Sequence, residues 1–317
     1  MRGFIANTDY EWFTFLRSME PPVEEVNFWR PGADTGFKAL RPGEPLLFKL
    51  KVPHNAIGGF GYFAHYSKLP VSMAWEVYGQ ANGAPTFPAI RERLLRFRNR
   101  FDMETDARQD FWIGCILINQ PTFFADDDWV RLPDGWSSNT GQGKGYNLGS
   151  GEGRRIWLEC LARGAASRDR DSWLSPDLSI VAEQSPFGAP TEIRPRLGPR
   201  SFRVAVLDSY GRRCAVTSER TLPALEATHI REYQDLPSHS INNGILFRAD
   251  IHKLFNAGYV TVTPDHRFEV SRRIKEEFEN GWQYYALHGT EIRLPENPAH
   301  RPAVEALWWH NERRYLG

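Results

Sequence analysis

Cysteine is scarce in this sequence. The chain has three cysteines, Cys115, Cys160 and Cys214, and none belongs to a Cys-x-x-Cys pair. This spacing excludes a disulfide framework and a sequence-local structural zinc knuckle. We therefore expect a protein of a reducing compartment and predict a cytoplasmic location.

Excess charge and long apolar runs are missing as well. Thirty-nine basic residues balance thirty-nine acidic ones, so any site for a polyanion must come from local clustering of charge. The first residues, MRGFIANTDYEWF, have no apolar run typical of a signal peptide, and no stretch approaches 18 uncharged apolar residues. These absences predict no contact with a membrane.

The first half of the chain shows short β-type runs broken by glycine and proline. They are PLLFKLKVP at 45–53, GGFGYFAHYS at 58–67 and FWIGCILINQPTFF at 111–124, with a helical pattern at 87–101. The glycine-rich segment after Trp136 lacks the P-loop pattern, so we interpret it as a mobile loop. We predict a β-rich domain over 1–165, a polar, proline-rich linker over 166–200 and a second domain over 201–317.

The second half has a sharper pattern, and the whole chain is predicted to be α+β. FRVAVLDSYG is typical of a short helix, RRCAVT and ALEATHI of two strands, and GILFRADIHKLFNAG of a helix. YVTVTPDHRFEVS is typical of a hairpin. This order places His229 on the second strand and His252 on the helix that follows.

Two histidines on a strand and a neighbouring helix are suited to phosphodiester hydrolysis. That reaction needs a group that deprotonates water and a cation that stabilises the charge developing on the phosphate. His229 supplies a titratable imidazole and His252 a candidate metal ligand. Asn243, just before a glycine, suits a tight turn whose amide ties the loop to the helix.

The segment CAVT…LEATHI…NNGILFRADIHKLFNAGYVTV, from Cys214 to Val262, resembles the HNH endonuclease family. The resemblance implies a ββα-metal fold over roughly 204–309 and a metal-dependent endonuclease. It implies that His229 activates water, that Asn243 holds the loop, and that His252 binds one divalent cation, Mg²⁺, Mn²⁺ or another.

The second metal ligand stays open at this point. Many members of the family carry Asp or His directly before the catalytic histidine, where this chain has Thr228. Glu226 and Asp250 are the nearest carboxylates in sequence, and backbone or water are the other choices. Arg248 and Lys253 are candidate phosphate-binding residues.

The first domain loosely resembles the PUA-like superfamily, which includes the EVE, ASCH and SRA modules, on the strength of its Trp/Phe-rich start and of LRPGEPLLFKLKVP followed by GGFGYFAHYS. The resemblance implies a pocket for an extruded modified base, which proteins read by stacking and edge hydrogen bonds. The candidate base-binding residues are four aromatic walls, Trp29, Phe60, Tyr62 and Trp75, and two amides, Asn27 and Asn55.

Together these features favour a modification-dependent DNA restriction endonuclease. Its first domain would sense a modified base in double-stranded DNA and its HNH domain would cut nearby, with a homodimer able to cut both strands. Two alternatives are a nucleic-acid-binding protein with a degenerate nuclease domain and a nuclease triggered by a nucleotide signal.

Overall fold

The computed structural model describes residues 1–33, 35–101, 103, 109–137, 140–171, 197–231 and 240–317. The chain divides into two compact units, Met1–Pro195 and Arg196–Gly317, each with its own buried apolar side chains. No helix within the described ranges is long and apolar enough to cross a membrane.

The first unit is built on a mixed β-sheet. Its strands are β1 (Arg2–Thr8), β2 (Glu25–Arg30), β3 (Pro45–Leu50), β4 (Ala56–Pro70), β5 (Trp112–Phe123), β6 (Val130–Arg131) and β7 (Gly143–Asn147). Among the described residues the sheet order is β2–β5–β4–β3–β1–β7, and β6 pairs with β4. β1 runs parallel to β3, whereas the other pairs are antiparallel.

Helices flank this sheet. They are α1 (Tyr10–Arg17), α2 (Val71–Tyr78), α3 (Phe87–Arg100) and α4 (Gly151–Asp171). The Asp9 carboxylate accepts the backbone N–H of Trp12 at 2.9 Å, which satisfies a donor at the start of α1. Trp12, Phe13 and Leu16 recur at helical spacing and are buried, so α1 presents one apolar face to the core.

Most of the pattern predicted for the first unit is confirmed. The three β-type runs form β3, β4 and β5, and the helical pattern forms α3. The mobile loop predicted after Trp136 is wrong in part, because Gly143–Asn147 pairs with β1 as a strand. The predicted linker from residue 166 begins inside α4, which continues to Asp171, and residues 172–196 of that linker lie outside the described residues.

The second unit combines short hairpins with helices. Its elements are α5 (Pro199–Ser209), β8 (Leu225–His229), β9 (Gly244–Arg248), α6 (Ala249–Asn256), β10 (Val260–Val262), β11 (Phe268–Val270), α7 (Arg273–Phe278), α8 (Trp282–Tyr285) and α9 (Val304–Arg313). β8 pairs with β9 and β10 with β11, both antiparallel. The α+β class predicted from the sequence is confirmed.

The prediction of one helix over GILFRADIHKLFNAG is wrong in its first part. Gly244–Arg248 forms strand β9, and the helix begins only at Ala249. Ile245, Leu246 and Phe247 are all buried, and a short continuous apolar run is compatible with a strand or a buried helix. RRCAVT forms no strand, so β9 is the partner of β8, and His229 lies on the first strand of the hairpin.

Candidate active site

The β8–β9 hairpin and helix α6 position the histidines predicted from the sequence. In the antiparallel register, His229 lies opposite Gly244, and Glu226 lies opposite Phe247. α6 follows β9 without a loop and carries His252 on its first turn and a half. One continuous strand–strand–helix segment therefore holds His229, Asn243 and His252.

Asn243, just before β9, forms hydrogen bonds with the residues that directly follow β8. Its Oδ1 accepts the backbone N–H of Arg231 at 3.0 Å, and its Nδ2 donates to the carbonyl of Arg231 at 3.0 Å. Its own carbonyl accepts the N–H of Ile230 at 2.9 Å. The side chain is only 2% exposed, so these bonds are shielded from water. This geometry is what the predicted loop-holding role of Asn243 requires.

His229 stacks on an aromatic ring of α5. The imidazole and the Phe202 ring have centroids 3.8 Å apart with an interplanar angle of 10°. Gly244 makes this approach possible, because a Cβ there would lie 2.5 Å from Val206 Cγ2 and 2.8 Å from Phe202 Cζ. The packing of α5 on the hairpin therefore fixes the plane of the His229 ring.

His252 lies between a carboxylate and an amide. Its Nδ1 contacts the Glu226 carboxylate, and its Nε2 lies 3.0 Å from Asn256 Nδ2. Thr228, which stands where many HNH members carry Asp or His, places its hydroxyl 3.1 Å from Asn256 Oδ1. Glu226 and Thr228 are two residues apart on β8, so their side chains lie on the same side of the strand. Both side chains contact residues of α6.

Asp250 is engaged elsewhere. Its carboxylate accepts two bonds from the Arg248 guanidinium, at 2.6 and 2.7 Å, and one from the Tyr284 hydroxyl at 3.2 Å. The hydrogen bonds from Arg248 are the main reason that the pKa of Asp250 is below its ordinary value. Of the two carboxylates predicted as second ligands, the structure thus brings Glu226 to His252, and it pairs Asp250 with Arg248.

The two residues predicted to bind phosphate differ in their surroundings. The pairing with Asp250 neutralises the charge of Arg248, whereas the Lys253 side chain is exposed on α6, next to His252 in sequence. Lys253 is therefore the better placed of the two to meet a phosphate group.

The family that the sequence resembles implies a divalent metal, and the donor set beside His252 suits one. A carboxylate oxygen and an imidazole nitrogen are common ligands of divalent cations, and rotation of the Asn256 amide, which presents its nitrogen to His252 and its oxygen to Thr228, would add an amide oxygen. In the part of the chain that the structure describes, no three His, Cys, Asp or Glu side chains form a metal-binding group. Protein ligands from Glu226, His252 and Asn256 would therefore be completed by water or substrate oxygens.

The residues predicted to bind a base do not meet at one place: Asn27 and Trp29 lie beside Asn82, and the Phe60 and Tyr62 rings contact each other with centroids 5.9 Å apart. Asn27 and Phe60 are fully buried, and Asn27 Nδ2 donates to Asn82 Oδ1 at 2.9 Å. Trp29 is nearly buried and donates its indole N–H to the Asn82 carbonyl at 3.0 Å. These three side chains belong to the core.

The other three predicted base-binding residues lie apart from one another. Tyr62 lies on β4 and packs against the core, and Trp75 lies on α2 with its ring 6.3 Å from that of Phe87. Asn55 lies in the β3–β4 turn, where it is exposed and accepts a hydrogen bond from Lys49 at 3.2 Å.

The sequence interpretation missed Asn256 and Phe202. Asn256 follows His252 by four residues, a spacing that puts both on one helix face and that would have indicated it. Phe202 stacks on His229 across 27 positions of the sequence, and no local pattern indicates such a contact.

Comparison with known proteins supports the HNH resemblance. Residues 214–263 match the HNH_2 family model, described as HNH endonuclease. No curated protein matches the chain.

Two solved structures from Zymomonas mobilis are similar in the fold comparison. One is a single-residue variant of an ASCH protein, with 11% identity, a TM-score of 0.33 and coverage of 49% of this chain and 96% of that one. The other is an ASCH protein, with 10% identity, a TM-score of 0.32 and coverage of 49% and 93%. The family match covers the β8–β9–α6 segment that holds His229, Asn243 and His252.

Proposed function

We propose that this protein is a modification-dependent DNA endonuclease, in which His229 is the general base and His252, Glu226 and Asn256 form the metal site. The observation that supports it most is the contact of Glu226 with His252 inside a segment that matches the HNH family. The proposal includes double-stranded DNA carrying a modified base as the substrate.

The side chains of this site have distinct roles. A divalent cation held by His252, Glu226 and Asn256 would stabilise negative charge on the scissile phosphate. His229 would take the proton of the attacking water, and its stack on Phe202 keeps the imidazole in one plane. Asn243 holds the strand end on which His229 lies, and Lys253 would contact a neighbouring phosphate.

Cleavage of defined DNA tests the proposal. Unmodified DNA and DNA containing 5-methylcytosine or 5-hydroxymethylcytosine are incubated with Mg²⁺ or Mn²⁺, using wild type and His229→Ala. We expect cutting of a modified DNA only, and a loss of about a hundredfold or more in His229→Ala, because general-base catalysis contributes that much. EDTA is expected to abolish cutting.

Other outcomes would favour other functions. Equal cutting of all three DNAs would retain the nuclease and remove the modification sensor. Binding without cutting under every condition would favour the nucleic-acid-binding protein with a degenerate nuclease. Cutting of unmodified plasmid only after a nucleotide is added would favour the nucleotide-triggered nuclease.

Two variants test which of the two carboxylates, Glu226 or Asp250, is needed for metal-dependent cleavage. Glu226→Gln removes the charge of a proposed metal ligand, and we expect cleavage to fall by at least the roughly tenfold to hundredfold that changing an outer partner of a ligating histidine costs. Asp250→Asn, which changes the carboxylate paired with Arg248, is expected to retain metal-dependent cleavage. The reverse ranking would place the metal at Asp250.

A further inference from the structure

The sheet of the first unit ends in two different edges. Among the described residues, its strand order begins with β2 and ends with β7, so each of these strands has one side without a neighbouring strand. The bare side of an edge strand presents backbone N–H and C=O groups that can pair with another strand. The surroundings of these groups therefore decide whether the sheet can be extended.

The chain covers the β2 edge with its own side chains. The indole N–H of Trp12 donates to the carbonyl of Asn27 at 3.1 Å, and Asn27 Nδ2 donates to Asn82 Oδ1 at 2.9 Å. The indole N–H of Trp29 donates to the carbonyl of Asn82 at 3.0 Å. All four of these residues are buried, so the β2 edge is closed to a further strand.

The β7 edge is different, because its backbone groups point outward. The N–H of Asn7 donates to the carbonyl of Gln142 at 3.0 Å, and the N–H of Leu148 donates to the carbonyl of Met1 at 2.8 Å. Alternate residues of an antiparallel strand bond to the same neighbouring strand, so the even-numbered residues of β7 bond to β1. The backbone groups of three residues of β7 therefore point away from β1, those of Gly143, Gly145 and Asn147.

This outward edge has few side-chain atoms and a groove beside it. Two of its three residues are glycines, and both Gly145 and Asn147 are exposed. An open groove of about 370 Å³ lies at the edge and is lined by Met1, Arg2, Gly145, Tyr146 and Asn147. The edge thus combines hydrogen-bonding groups with space for a side chain of a partner.

The sequence of β7 is complementary to itself in one antiparallel register. When two copies pair about Gly145, Gly143 of one lies opposite Asn147 of the other, and Lys144 lies opposite Tyr146. A lysine on an edge strand usually opposes pairing of like strands, but in this register it meets an aromatic ring instead of a second lysine. Lys144 Nζ already lies 5.5 Å from the centre of the Tyr146 ring within one chain.

We propose that β7 is a dimerisation strand and that its partner is β7 of a second copy of this chain. Pairing about Gly145 uses all five residues of the strand and gives a twofold dimer with one continuous sheet. The side chain of Lys144 from each copy lies against Tyr146, which lines the groove of the other. The homodimer predicted from the sequence had no assigned interface, and this inference places it on the first unit, independently of any nuclease activity.

Sedimentation equilibrium of the full chain tests the dimer. We expect wild type to associate to twice the 36.5 kDa mass of the chain. Its Kd is expected to be roughly micromolar, because one pair of five-residue strands is a small interface.

Gly145→Pro removes the N–H that faces the open edge. Proline is tolerated in an edge strand where its nitrogen faces away from the ladder, so the β1–β7 pair should stay intact. We expect the Kd of the dimer to rise about tenfold or more, since each dimer loses two hydrogen bonds. Gly145→Ala is the matched control: it keeps the N–H, its Cβ meets only the Gly3 carbonyl at 3.9 Å, and it is expected to dimerise as wild type does.

Lys144→Glu tests the same register without a change of backbone, and it decides the case if circular dichroism shows Gly145→Pro to be unfolded. The lysine side chain is exposed, so the variant should fold. We expect its Kd to rise about fivefold or more, because each dimer loses two contacts between an ammonium and an aromatic ring. Lys38→Glu makes the same charge change at another exposed lysine of this unit and is expected to leave the Kd unchanged.

Two results would overturn the inference. A wild type that stays monomeric throughout the micromolar range would leave the β7 edge to a strand of a different protein. A dimer whose Kd is the same in wild type and in a folded Gly145→Pro or Lys144→Glu would have its interface on another surface.

Discussion

The side-chain amide of Asn243 forms hydrogen bonds with both the backbone N–H and the backbone carbonyl of Arg231. In Asn243→Ala, the N–H and the carbonyl of Arg231, which are partly buried, lose their partners, and an unsatisfied buried group costs about 1–3 kcal/mol. We expect the free energy of unfolding to fall by roughly 2 kcal/mol or more and cleavage to fall with it. Urea unfolding followed by circular dichroism measures the first effect, and plasmid nicking measures the second.

Asn242→Ala is the matched control. Asn242 is adjacent, and its backbone carbonyl, which accepts the N–H of Ala303 at 2.8 Å, stays in place. Equal destabilisation by both substitutions would contradict a specific role for the Asn243 amide.

We expect His310 to make the stability of the second unit depend on pH. It is 2% exposed, its Nδ1 lies 2.8 Å from Thr261 Oγ1, and its Nε2 lies 3.1 Å from the Phe255 carbonyl. Burial, with a smaller effect of Arg314, lowers the pKa of His310 from 6.5 to about 4. The unfolded chain therefore binds this proton first, and stability falls as the pH drops from 6.5 towards 4.

The loss from this residue should reach about 3 kcal/mol below pH 4, since each pKa unit corresponds to 1.36 kcal/mol. Urea unfolding at pH 7 and pH 4.5 in wild type and His310→Gln measures it. The substitution is expected to flatten the decline between the two pH values, and identical declines in both proteins would contradict the assignment.

At the scale of elements, the contact of α5 with the β8–β9 hairpin depends on Gly244. A methyl group there would meet Val206 and Phe202 at less than 3 Å, so Gly244→Ala must push the helix from the strand. We expect a loss of about 1–3 kcal/mol in stability, the usual cost of overpacking, and weaker cleavage because Phe202 no longer orients His229. Thermal unfolding and plasmid nicking measure both effects.

Gly141→Ala is the matched control, because a Cβ at Gly141 meets no atom within 4 Å. A Gly244→Ala protein as stable and as active as this control would show that α5 adjusts without effect on the site.

Local pattern predicts some of these elements and not others. The hairpin around Pro264 and the helix at 87–101 follow from alternation and from helical spacing. The boundary between β9 and α6 cannot be predicted in this way, because the apolar run ILF is compatible with a strand or a helix. Its pairing with β8 is what makes it a strand. Sequence order also indicated His229, Asn243 and His252, whereas the choice of Glu226 over Asp250 depends on strand register and on Arg248.

At the scale of the whole molecule, charge balance governs solubility. The formal net charge is zero at pH 7 and the isoelectric point is about 7.1. Molecules without net charge repel one another weakly, so we expect a solubility minimum near pH 7 at low ionic strength. Light scattering across pH 5 to 9 checks this, and a minimum far from neutrality would contradict it.

The pairing of Asn7 with Lys49 in the first unit could not be predicted from sequence patterns for a physical reason. Asn7 and Lys49 are neighbours only because β1 and β3 pair in parallel, a contact between strands 42 positions apart along the chain. Sequence patterns also did not distinguish core rings such as Trp29 and Phe60 from the partly buried ring of Trp136.

The stack of His229 on Phe202 also gives the proposed nuclease site its own spectroscopic label. Protons held above the face of a benzene ring are shielded by its ring current, so the imidazole signals of His229 should move upfield in a proton spectrum. His310, stacked on Phe255 at 3.7 Å, should be displaced in the same direction, and a His310→Gln sample separates the two. Any ligand that shifts the His229 ring relative to Phe202 would then be visible at a single resonance before any bond is cut.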